Sequence, residues 1–148
     1  MLALARHVSQ WSKDPSTKCG AVIIDDKRRI MGIGYNGFPR GVADTDARLY
    51  DRPEKYATIV HADVNAILNA QRTDGCSMYI WPMLPCADCA KIIIQSGLKA
   101  VYAPRVSEDL EPRWKNNIEF AKAMMREGGV VVVELGESDD VSGDSIEA

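Results

Sequence analysis

The sequence predicts one α/β domain built on a mixed five-stranded sheet. Two short apolar runs, residues 19–24 and 28–35, are joined by the turn residues Asp25-Asp26-Lys27, the pattern of an antiparallel hairpin. Downstream, stretches of helical periodicity alternate with short β-branched runs, which predicts parallel pairing in the second half of the sheet. A chain of 148 residues has the length of one domain and can bury a core without disulfides.

The elements follow in order. Residues 2–11 place Leu4, Val8 and Trp11 on one stripe and predict an amphipathic helix. Residues 12–16 contain Lys13-Asp14-Pro15 and predict a turn before the hairpin. Residues 36–56 hold two glycines, two prolines and many charges. They predict a long loop, and long loops in compact domains usually carry function. Residues 57–72 space Val64, Ile67, Leu68 and Gln71 by three or four and predict a helix. A strand over 77–82 and a helix over 86–96 come next, the helix stopped by Gly97. A strand over 99–102, a helix over 113–127 and a strand over 130–135 complete the domain at residue 135. Residues 136–148 are acidic, rich in serine and free of aromatics, which predicts a disordered tail.

Composition narrows the function classes. Hydrophobic residues at 46% and charged residues at 26% are ordinary for a globular protein. A net charge of −3 gives no general attraction to polyanions, so no nucleic-acid partner is expected. The basic groups at 27–29 and 48–55 read as solvated surface. The absence of an 18-residue apolar run predicts no membrane span. Residues 1–6 do not form a secretory signal, so the four cysteines read as thiols or metal ligands, and a cytoplasmic location is expected.

Chemistry concentrates in His61-Ala62-Asp63 and in Pro85-Cys86-Ala87-Asp88-Cys89. Cysteines at i and i+3 face one side of a helix turn. At a helix N-terminus their thiolates are favoured by the positive end of the dipole. With His61 they make three protein ligands for zinc, leaving the fourth position to water, as in catalytic rather than structural sites. A lone Cys-x-x-Cys also fits a redox pair or half a zinc ribbon, and the lack of a second such pair argues against the ribbon. Cys76 offers a fourth ligand that would close the site; its other reading is a small buried residue opening a strand. Cys19 reads as core and His7 as helix surface.

These residues resemble the deoxycytidylate (dCMP) deaminases of the zinc-dependent cytidine deaminase superfamily, whose pattern is His-x-Glu followed by Pro-Cys-x-x-Cys. The similarity runs over residues 1–135. It includes Asp14-Pro15-Ser16-Thr17-Lys18, Gly34-Tyr35-Asn36-Gly37-Phe38-Pro39-Arg40-Gly41, Arg52-Pro53-Glu54-Lys55-Tyr56 and Leu84-Pro85-Cys86-Ala87-Asp88-Cys89. The resemblance implies a three-layer α/β/α fold of cytidine deaminase type, with Zn2+ held between two helix N-termini, one ion per chain. It implies hydrolytic deamination of dCMP to dUMP and ammonia, feeding thymidylate synthesis. It also implies a homo-oligomer, hexamer or dimer, and in some members control by dCTP and dTTP near the Gly-Tyr-Asn-Gly loop, with Mg2+ accompanying such an effector.

By the same resemblance His61, Cys86 and Cys89 hold the metal and Asp63 moves protons. The backbone at Ala62 and Pro85 meets the base, and Asn36 meets the sugar. Lys18, Arg40 and Arg113 are candidates for the phosphate. Asp63 departs from the family's Glu and is shorter by one methylene, roughly 1.5 Å of reach. That leaves two further readings: a deaminase of another cytosine nucleotide or nucleoside, and a catalytically impaired nucleotide-binding zinc protein.

Overall fold

The computed structural model describes residues 1–136; the expected disordered tail, Gly136 apart, lies outside the described residues. The elements are α1 (Leu2–Ser9), β1 (Gly20–Ile24), β2 (Ile30–Tyr35), α2 (Asp46–Tyr50), α3 (Arg52–Thr58), α4 (Ala62–Asn69), β3 (Ser77–Trp81), α5 (Ala87–Gln95), β4 (Ala100–Pro104), α6 (Glu111–Glu127) and β5 (Val131–Leu135). The sheet order is β2-β1-β3-β4-β5. β1 pairs antiparallel with β2 and with β3, whereas β3, β4 and β5 run parallel. The hairpin and the parallel half therefore stand as the sequence predicts.

Alternation along the strands divides the core between the two faces of the sheet. Ala21, Ile23, Met78, Ile80, Val101 and Ala103 point to one face, where Ala66 of α4, Ile93 of α5 and Met125 of α6 close over them. Val22 and Ile24 point to the other and pack on Ala5 of α1, with Tyr79 and Trp81 alongside. Helices on both faces make three layers. Among the described residues no helix is long and apolar enough to cross a membrane.

Three expectations change. Residues 36–56 are not a structureless loop, because α2 and the start of α3 lie within them. Asp51 caps α3 by accepting from the Glu54 backbone N–H, and Pro53 sits in the first turn. The helix expected over 57–72 is divided. Val60 forms an isolated bridge with Gly37, Gly37 N–H to Val60 O at 3.1 Å and Val60 N–H to Gly37 O at 2.8 Å, so α4 starts only at Ala62. Its buried face consists of Ala62, Asp63 and Ala66, and Leu68 is 73% exposed. Finally, Trp11 lies beyond α1, is half exposed, and packs edge-on against Tyr35.

The small face of α4 has a physical reason. Helix and strand meet backbone to backbone: a Cβ on Gly34 would lie 2.3 Å from Ala66 N, and one on Gly32 would lie 2.6 Å from Ala66 O. Asn65 and Asn69 donate from their side-chain amides to Tyr35 O (2.8 Å) and Ile33 O (3.0 Å). Gln71 N–H donates to Met31 O at 3.0 Å. Three carbonyls of the edge strand are thus bound by α4 and the residues that follow it, which also protects that edge from pairing with another chain.

Gly34→Ala should overpack this contact and lower stability by about 1–3 kcal/mol. Gly37→Ala, whose added Cβ meets nothing within 4 Å, should be nearly neutral. Urea unfolding of the two variants checks this, and equal midpoints would show that the close approach is not a constraint.

Candidate active site

The site forms where two helices begin. His61 is the N-cap of α4 and Cys86 the N-cap of α5, both with extended backbone, and neither side chain caps its own helix. The imidazole and the thiol are therefore free to turn toward each other. His61 Nδ1 lies 3.2 Å from Cys89 Sγ and 3.5 Å from Cys86 Sγ. The three ligand atoms all fall within 4.8 Å of one another. Zinc bonds of about 2.0–2.1 Å to nitrogen and 2.3 Å to sulfur at tetrahedral angles place such atoms about 3.5 Å apart. The donors fit the ion in type and in spacing.

The other helix of the pair is also braced. Asn117 of α6 accepts the Ala87 backbone N–H at 2.8 Å, binding one of the donors left free at the start of α5.

Electrostatics shows a group that shares too few protons. Its hydrogen bond from Cys89 holds the Cys86 thiol down to about 4, aided by the contact with His61. The same bond, with burial, pushes the Cys89 thiol well above its usual value. The contact with Cys86 raises His61. A thiolate, a thiol and an imidazole facing one point are what a divalent ion replaces protons in, so its binding releases protons.

Asp63 lies one residue into α4, 4% exposed, with its carboxyl raised by burial and within hydrogen-bonding contact of the Cys89 thiol. Its Oδ1 accepts from Val64 N–H at 2.9 Å. The carboxyl is thus held against the ligand cluster.

The cluster opens into a cavity of about 80 Å³, with Ile80, Met83, Leu84 and Trp114 among its apolar walls. Of the residues expected to meet substrate, Asn36, Ala62, Pro85 and Arg113 line this cavity, together with His61, Cys86 and Asp63. Lys18 and Arg40 are not among its lining residues; Arg40 donates to Asn69 Oδ1 at 3.4 Å on the exposed side. Asn36 is buried and its amide is engaged by the chain: Oδ1 accepts from Cys19 N–H at 2.8 Å, and Nδ2 donates to Thr17 O at 2.9 Å.

Lys55 corrects the reading of 48–55 as solvated surface. It is 2% exposed, and its Nζ donates to Asp14 Oδ1 (3.0 Å) and Ser16 Oγ (3.1 Å) at the cavity wall. Nothing local signals this, because its partners lie about 40 residues away; only the Asp51 cap, which sets the helix phase, bears on it. Cys76 is fully buried, bonds backbone carbonyls and stands outside the ligand group. Cys19 is not plain core: it lines the cavity, and burial pushes its thiol up to about 12. His7 is exposed on α1 and edge-on to Trp11. Among the described residues, His61, Cys86 and Cys89 are the one group placed to hold a metal ion. Two sulfurs suit zinc and not Mg2+, and no second group of ligating side chains among the described residues supports the Mg2+ expected with an effector.

An α/β/α fold with one His and two Cys at paired helix N-termini, an adjacent buried carboxyl and an open cavity has the make-up of the zinc-dependent deaminases. The comparisons place it more closely. The cytidine and deoxycytidylate deaminase zinc-binding region matches residues 1–104, and the chain belongs to that family. It is 43% identical over 133 residues to an uncharacterized deaminase from the luxG 3′ region of Aliivibrio fischeri, covering 89% of this chain and 88% of that one. It is 44% identical over 108 residues to human deoxycytidylate deaminase, covering 68% of this chain and 60% of the human protein. In three dimensions it is similar to the dCMP deaminase of cyanophage S-TIM5 solved with dCMP and dUMP. There the TM-score is 0.72 and the identity 25%, over 90% of this chain and 93% of that one.

Elemental analysis of the purified protein should find about one zinc per chain, and close to none in Cys86→Ala. Two ions per chain, or full retention in Cys86→Ala, would contradict the ligand set.

Proposed function

We propose that the protein hydrolyses dCMP to dUMP and ammonia with one zinc ion held by His61, Cys86 and Cys89. The observation that carries this is the buried Asp63 carboxyl set against those ligands at the floor of an open cavity. The family and the relatives that share the fold add the substrate class.

The chemistry a bound zinc supplies is Lewis-acid activation of water. The remaining work falls to the chain. Asp63 accepts a proton from the attacking water and returns it to N3 of the cytosine. It then passes the second proton to the amine as the C4–N4 bond breaks. The water oxygen becomes O4 of dUMP, and nitrogen leaves as ammonia.

Ala62 is the first residue of α4, where the backbone N–H has no acceptor within the helix. It can therefore donate to an oxygen of the base. Pro85 lacks an N–H and offers only its carbonyl, an acceptor suited to the exocyclic amine. The apolar walls formed by Ile80, Met83, Leu84 and Trp114 exclude bulk water and strengthen these contacts. Asn36, its amide already engaged, acts on this reading by holding the 14–19 segment at the edge of the sugar. A homo-oligomer and a cytoplasmic setting belong to the same reading, the latter supported by four free cysteines.

Zinc-loaded protein should release one ammonia per dUMP formed, and Asp63→Asn should lower kcat by about 10²- to 10⁴-fold. Ammonia release from another cytosine nucleotide but not dCMP would reassign the substrate. No release from any of them would contradict the enzymatic reading.

A further inference from the structure

Helix α3 is seven residues long, and its one buried side chain is a lysine. A short surface helix is ordinarily held to its domain by an apolar stripe. In α3 that stripe is missing: Arg52, Pro53, Glu54, Tyr56 and Ala57 are exposed, while Lys55 is 2% exposed. Among the described helices and strands, only α2 packs closely on α3. Apart from the chain that follows it, where Val60 pairs with Gly37, the hold of α3 on the domain falls on the Lys55 ammonium.

That ammonium has three partners. Nζ donates to Asp14 Oδ1 at 3.0 Å and to Ser16 Oγ at 3.1 Å. It also lies 5.6 Å from the centroid of the Tyr56 ring, within cation–π range. Asp14, itself buried, joins three segments. Its Oδ1 accepts from the Ser16 and Thr17 backbone N–H groups at 2.7 and 3.2 Å, and its Oδ2 accepts from Asn36 Nδ2 at 3.4 Å. One carboxylate thereby ties the 14–17 turn and the end of β2 to α3. Asp14, Ser16, Thr17, Asn36, Lys55 and Tyr56 all line the cavity, and Ile59 lines it one turn beyond Lys55.

A buried ion pair with its hydrogen bonds made is stable as a unit, but removal of one partner leaves an uncompensated buried charge. The readiest relief is for α3 to swing outward and let water reach that charge. We propose that Lys55 is a positioning residue whose buried pair with Asp14 latches α3 to the 14–17 turn and so fixes Tyr56 and Ile59 as a wall of the cavity. The inference rests on the reading of this cavity as the nucleotide site, yet it gives Lys55 no contact with substrate. Because the charge of Lys55 is matched by Asp14, the latch acts on any occupant of the cavity, phosphorylated or not.

The test compares zinc-loaded wild type with Lys55→Met, Asp14→Asn and the double variant. Asp14→Asn keeps an oxygen for the 14–17 turn and removes only the charge, so it carries the same test if Lys55→Met does not fold. Amide hydrogen exchange without ligand reads the latch itself. Exchange over residues 52–59 should quicken about 10-fold or more in each single variant, with β3 changed far less and zinc content unchanged. Calorimetric titration should show dUMP and deoxyuridine weakened by the same factor, again about 10-fold, and KM for dCMP should rise more than kcat falls. The double variant should lose no more than either single one, because the two side chains form one device. A loss confined to dUMP would make Lys55 a direct contact of the phosphate and overturn the latch. Unchanged exchange at α3, or losses that multiply in the double variant, would overturn it too. Exchange and binding are read without turnover, so if they behave as expected while no cytosine compound is deaminated, the latch stands and the deaminase reading falls.

Discussion

At Gly32 and Gly34 helix α4 comes so near strand β2 that any side chain there would strike backbone atoms of Ala66 at 2.3–2.6 Å. That approach fixes the height of the helix on the sheet, and the Asn65 and Asn69 amides bonded to β2 carbonyls fix its position along the strand. His61 and Asp63 sit at the start of this helix. The depth at which the imidazole and the carboxyl meet Cys86 and Cys89 is therefore set by glycines about 30 residues earlier in the chain. An alanine face on the helix and glycines on the strand are two halves of one requirement.

The second helix meets the first from the parallel half of the sheet. The β3 strand leads to Cys86, and α5 begins there with its first amide bound by Asn117. Two helix N-termini that meet at the ligand group concentrate positive dipole ends and free N–H groups. Thiolates and a negatively charged transition state both gain from that field. Cys86 is already held as a thiolate by the Cys89 thiol and by His61. Metal binding and charge stabilisation thus rest on the same arrangement, with the cavity above it walled by segments far apart in sequence.

The hairpin, the alternation of helix and strand and the helix stop at Gly97, which has a φ of +78°, were legible in the sequence because each is a local pattern. The metal group was equally legible, since the i, i+3 spacing of Cys86 and Cys89 is a property of one helix turn. Less was visible between residues 36 and 72. There the Val60–Gly37 bridge interrupts an otherwise helical pattern, and Leu68 takes a periodic position yet faces outward. Tertiary contact overrides periodicity in both cases. Lys55 escaped for a related reason: a lysine in a charged stretch reads as surface unless its partner is known, and Asp14 lies on a different segment.

Catalysis at this site requires three protein ligands and an open fourth position. X-ray absorption at the zinc edge of the metal-loaded protein measures that directly. It should show two sulfur neighbours at about 2.3 Å and two nitrogen or oxygen neighbours at about 2.0–2.1 Å, one of them exchangeable with solvent. A shell with three or four sulfurs, or with no exchangeable neighbour, would make the site structural and contradict the catalytic reading.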